Sequence, residues 1–206
     1  ASVVYGISSL EQQVCKFLEK QPNTTFDSSF LKIVKQLVEL DLSNKVIQIP
    51  EYVRHLAIIL NKSKTDTLKK QLYESLSPLI LAQIFKQYRF PLSASDLGES
   101  STIKNPPSST PVKFDKIEWI ENFVNYYIAK KMASDSTLTD SSTVLTYEEK
   151  QALENCVHFT EEKQQSRLFL QYKCNWVTPE TAIQNLNQII NNRRKSLESF
   201  ENEINN

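Results

Sequence analysis

A chain of 206 residues with 40% hydrophobic side chains can bury a sizeable core, but its two glycines (Gly6 and Gly98) leave little material for tight turns. That shortage argues against all-β folds, whose hairpins and bulges need positive φ, and against glycine-rich loops that cradle phosphates. Twenty-four acids balance 24 bases, so the chain is not a generally basic nucleic-acid binder, and three scattered cysteines (Cys15, Cys156, Cys174) make no disulfide framework and suit a reducing, intracellular compartment.

The spacing of apolar residues predicts an all-α protein. A first helix is expected from about Ser9 to Lys20, with Leu10, Val14, Phe17 and Leu18 on one stripe and Pro22 beyond its end. A second follows Asp27 or Ser28 as N-cap and carries Phe30, Leu31, Val34, Leu37, Val38 and Leu40. Val46-Ile47-Gln48-Ile49 reads as a short extended segment, because β-branched residues precede a proline. Pro50 suits the first position of the next helix, with Tyr52, Val53, Leu56, Ile59 and Leu60 at helical spacing. Asp66 is the expected N-cap of a helix with Leu68, Leu72 and Leu76. Ser77-Pro78 opens another, whose all-round apolar start (Leu79, Ile80, Leu81, Ile84, Phe85) marks a central buried position.

Residues 91–113 change character, mixing Pro91, Pro106, Pro107 and Pro111 with many Ser and Thr. They read as a flexible linker or long loop, dividing an N-terminal bundle (8–90) from a C-terminal helical region (114–206). Asp115 and Glu118 form a capping pair for a helix containing Trp119, Phe123 and Tyr126 on neighbouring faces. Thr146 with Glu149, and then Thr160, cap two further helices. Thr178-Pro179-Glu180 opens the last one.

That last helix carries the clearest signal. Ile183, Leu186, Ile190, Leu197, Phe200 and Ile204 follow spacings of a coiled-coil a/d seam, with Arg193 in one d position. The breadth of its first half (Ala182, Ile183, Leu186, Ile189, Ile190) suits docking on the chain's own body. The narrower tip, Leu197, Phe200 and Ile204, is the expected partner-binding seam. Its flanking positions hold Arg194, Ser196, Glu201 and Glu203, which do not specify a homodimer.

No catalytic or metal constellation stands out. His55 and His158 are about a hundred residues apart, and Cys156 with His158 would face different sides of a helix. Residues 45–90 hold eight bases against three acids. Among those bases Lys62, Lys64, Lys69 and Lys70 flank one predicted turn and are the candidates for phosphate contact. No apolar run approaches membrane-span length.

The expectation is therefore a non-enzymatic helical subunit or adaptor of a larger intracellular eukaryotic complex, in nucleus or cytoplasm. It would bind other protein subunits through helical faces and need no cofactor, metal or membrane. The alternative is a nucleic-acid-associated helical module using the basic 62–70 turn.

Overall fold

The computed structural model describes residues 24–63, 66–93, 114–157 and 175–204; of residues 24–26 and 201–204 it describes the backbone. The helices expected near 9–20 and after Thr160 lie outside the described residues. So does most of the Ser/Pro-rich stretch.

The protein is all-α. Among the described residues the elements are α1 (Thr24–Glu39), α2 (Ser43–Ile47), α3 (Pro50–Lys62), α4 (Asp66–Ser75), α5 (Pro78–Gln87), α6 (Lys116–Ser134), a 3₁₀ turn (Ser141–Thr143), α7 (Tyr147–Glu154) and α8 (Pro179–Ile204). The chain forms two compact units, Ala1–Tyr127 and Ile128–Asn206, and the division falls within α6.

In the first unit α1 packs on α4, α3 packs on α5, and the short α2 touches α1, α3 and α5. Phe30, Leu31, Val34 and Leu37 line the inner face of α1, while Val53, Leu56, Ile59 and Leu60 do so on α3. The apolar texture of α5 has the consequence expected of it: Ile80, Leu81, Ala82, Ile84 and Phe85 are all buried. Local chemistry fixes its start. Pro78 fills the first turn, and the Ser77 hydroxyl accepts a hydrogen bond from the Ile80 N–H. The start of α6 adds an aromatic layer, with Tyr73 edge-on to Trp119 at 5.0 Å and to Phe123 at 6.1 Å. Asp115 caps the start of α6 by accepting from the N–H groups of Ile117 and Glu118.

Two local expectations are corrected. Residues 43–47 are helical, not extended: one turn of helix buries Val46 completely, and the Leu42 carbonyl accepts from Lys45 and Val46. β-Propensity is a weak preference that needs a pairing strand, and the described residues contain none. Asp27 is not the cap of α1 but lies inside its first turn, nearly buried, where a carboxylate suits the positive end of the helix.

The end of α1 is closed without glycine. Asp41 takes a left-handed φ of 59°, while Asp41 N–H donates to Val38 and Leu42 N–H donates to Leu37. These are the paired bonds of a Schellman motif, and Asp is one of the few non-glycine residues that tolerates that backbone.

The described residues on both sides of the 91–113 stretch belong to the first unit. Leu92 is buried and its N–H donates to Asn61 Oδ1 at 3.0 Å. Phe90 and Phe114, on either side of the stretch, stack at 4.8 Å, and both rings lie against Phe85.

In the second unit, Thr146 and Glu149 form a reciprocal capping box at the start of α7. Trp176 and Val177 are buried just before α8 begins. Glu154, the last residue of α7, reaches the start of α8: its carboxylate accepts from the Thr178 N–H at 2.9 Å and from the Thr178 hydroxyl at 2.9 and 3.1 Å.

Candidate protein-interaction surface

The final helix runs continuously from Pro179 to Ile204, about 39 Å at 1.5 Å per residue. Its beginning is fixed by the Glu154 carboxylate and by the Thr178 hydroxyl, which also accepts from Thr181 N–H. Next along the helix, Asn185 and Ile189 are buried at 8% and 1% exposure, and Asn185 is satisfied by donating to the Thr181 carbonyl. Ala182 and Leu186 are half-buried.

Burial stops at Ile189. Every side chain from Ile190 to Phe200 is exposed. Among the described residues seven large apolar side chains are exposed, and four are on this helix: Ile183 (59%), Ile190 (61%), Leu197 (65%) and Phe200 (62%). Three of them recur every seven residues. The side chain of Ile204 lies outside the described residues.

The expected division of this helix is therefore corrected. Ile183 and Ile190 do not share the docking of the first half; they face solvent with Leu197 and Phe200. Docking uses the neighbouring stripe through Ala182, Asn185 and Ile189. Two apolar faces run side by side here, and a breadth that reads as one wide face in sequence is really a buried stripe plus an exposed seam. The exposed seam extends from Ile183 to Phe200, about 25 Å along the axis.

Arg193 lies in that seam, between Ile190 and Leu197. It is exposed and has no ion-pair partner among the described residues, whereas Arg194 pairs with Glu198 at 3.6 Å.

Lys62 is exposed at the last position of α3, where a cation suits the negative end of the helix. Lys69 is half-buried and Lys70 exposed on α4, while Lys64 lies outside the described residues. The first turn of α4 carries a carboxylate of its own, Asp66, which suits the positive end of the helix.

One acid–base pair was not visible from the sequence. His55 Nε2 stands 3.1 Å from Asp27 Oδ1, with both side chains about 95% buried. The Phe30 ring meets the imidazole edge-on at 4.8 Å. Burial pushes the His55 pKa below its ordinary 6.5, Asp27 opposes the shift, and Lys62 and Arg54 add to it. Enclosed this way, the pair links α1 to α3 inside the core and offers a substrate no access. Asp27 and His55 are 28 positions apart in sequence, so no local motif signals them. Cys156 is half-buried with its thiol donating to the Leu153 carbonyl, and no group of three or more metal-ligating side chains occurs among the described residues. No helix there is long and apolar enough to cross a membrane.

The chain matches no protein-family model, no curated protein and no solved structure. The functional reading therefore rests on the surface itself.

Proposed function

We propose that this chain is a non-catalytic subunit or adaptor of a larger intracellular protein complex, and that it engages other subunits through the exposed seam of α8. One observation carries the reading: an apolar seven-residue repeat, Ile183, Ile190 and Leu197 with Phe200, stands in solvent on a helix whose buried stripe ends at Ile189. Apolar side chains at that spacing form the contact line of paired helices. Large exposed apolar surface on a folded protein is characteristic of interaction sites.

The test is quantitative affinity capture with the intact chain and with Leu197→Asp/Phe200→Asp. Both positions are exposed, so the fold and helix content should be retained. Loss of the co-purifying subunits is expected. An unchanged set of partners, with native circular dichroism, would sink the proposal. The captured complex should also resist added salt, because an apolar interface responds weakly while phosphate contacts weaken steeply.

A further inference from the structure

The seam of α8 is apolar except at one layer, which holds Arg193. Ile183, Ile190 and Leu197 occupy a positions, and Leu186, Arg193 and Phe200 occupy d positions. Arg193 is thus flanked on the contact line by two exposed apolar residues, with no carboxylate engaging it among the described residues.

Consider a second copy as the occupant. In a parallel pair each d side chain meets the same d side chain of the other helix. Arg193 would then face its own counterpart, placing two guanidinium groups in one apolar layer. In an antiparallel pair a d side chain packs on an a position, so Arg193 would enter a layer with Ile190 or Leu197. Neither arrangement puts a carboxylate at an a or d position beside Arg193, and an unpaired charge drawn into a closing interface is costly. The seam therefore contains an element that repels its own copy.

A planar guanidinium matches a carboxylate through two parallel N–H···O bonds. We propose that the occupant is a helix of a different protein whose own apolar a/d seam is interrupted by a single Asp or Glu, positioned to face Arg193. This rests on the seam being an interaction surface and adds its partner's chemistry. Apolar layers provide the contact, while the Arg–carboxylate layer sets register and partner choice, as a lone polar core position does in coiled coils.

The test uses two synthetic four-heptad helical peptides with Leu and Ile at their a and d positions. They are identical except for one central core position, Glu in one and Lys in the other. Binding of each labelled peptide to the intact chain, and to Arg193→Glu, is followed by fluorescence anisotropy at fixed salt. The native chain should bind the Glu peptide about tenfold tighter or more, and Arg193→Glu should reverse that order.

Equal affinity for both peptides, when Leu197→Asp/Phe200→Asp abolishes binding, would overturn the Arg193 assignment but leave the seam as an interaction surface. Failure to bind either peptide would also overturn it, and the capture experiment above would still decide the seam independently. A native chain that sediments as a dimer, reverting to monomer with Phe200→Asp, would overturn it in favour of a second copy.

Discussion

Replacing Glu154 with Ala should destabilise the second unit by about 2–4 kcal/mol. Glu154 ends α7, where the helix dipole disfavours a negative charge. Its position makes sense through the next helix: the carboxylate accepts from both the backbone N–H and the hydroxyl of Thr178, which is 1% exposed. A hydrogen bond to a charged acceptor contributes about 1.5–3 kcal/mol net, and a buried donor left without a partner costs a similar amount. The positive end of α8 adds roughly 0.3–1 kcal/mol. Glu154 is itself only half-buried, so solvent screening places the expectation toward the lower part of that sum. Glu154→Gln keeps one acceptor oxygen and loses the charge, and should cost about 1–2 kcal/mol. In a Trp119→Phe background the fluorescence of Trp176, two residues before Thr178, reports this unit during urea unfolding. With a slope of about 2 kcal/mol per molar, the Ala variant's midpoint should fall by roughly 1–2 M. Amide exchange should accelerate at Thr178, Thr181 and Ala182 before it does elsewhere. A midpoint within about 0.3 M of the parent, together with unchanged protection at the start of α8, would refute the idea that this carboxylate fixes the helix. A double-mutant cycle with Thr178→Val supplies the control, because independent residues would be additive where bonded partners are not.

Two further outcomes follow from the first unit. His55 has a folded pKa below its unfolded 6.5, so the unfolded chain binds the proton first. The associated stability is fully present above pH 6.5 and is lost as pH falls below it. His55→Gln retains a side-chain donor near Asp27 but cannot titrate, and urea midpoints measured from pH 7.5 to 5 should vary less steeply than in the parent; an unchanged slope would exclude His55 as the source. Asp41 holds a left-handed φ of 59°, which a side chain with Cβ adopts at a cost of about 1–2 kcal/mol. Asp41→Gly removes that strain but frees the unfolded chain, which takes back about 0.4–1 kcal/mol. The net is a gain of up to about 1.6 kcal/mol, readable as a rise in unfolding midpoint, and a loss would contradict the Schellman assignment.

Fold class and local helix starts were legible in the sequence because they depend on neighbours. Ser77-Pro78, Asp115 with Glu118, and Thr146 with Glu149 each bond within a few residues, so their pattern survives in one dimension. Residues 43–47 were misread for the opposite reason. Their β-branched composition is local, but the burial of Val46 that makes them helical comes from α2 meeting α1, α3 and α5. Asp27 shows the same limit, since a carboxylate near a helix start reads as a cap until His55 is known to lie 3.1 Å away. On α8 the heptad was readable, but the side of the helix already covered was not. Ile183 and Ile189 are both apolar and six residues apart, and only packing separates an exposed side chain from a buried one.

The point where docking stops along α8 determines whether its seam can be used at all. A strict seven-residue repeat drifts about 20° per heptad around a helix with 3.6 residues per turn. The line from Ile183 through Ile190 and Leu197 therefore rotates steadily, and its direction of drift is toward the buried stripe. Phe200 lies eighteen residues beyond Ala182, which is about five full turns and so the same side of the helix. Ala182 is half-buried on the docking side, whereas Phe200 is 62% exposed. Had burial continued past Ile189, the far end of the seam would have been covered along with the stripe. Because it ends there, a partner helix can follow the drifting seam in a left-handed path from Ile183 to Phe200 without meeting the docked face. Beyond Ile189 comes the seam residue Ile190, and directly after it Asn191-Asn192 and the basic run Arg193-Arg194-Lys195. These polar residues end the buried stripe while leaving the seam positions on either side of Arg193 apolar, so one sequence block both stops the docking and sets a single charge in the seam.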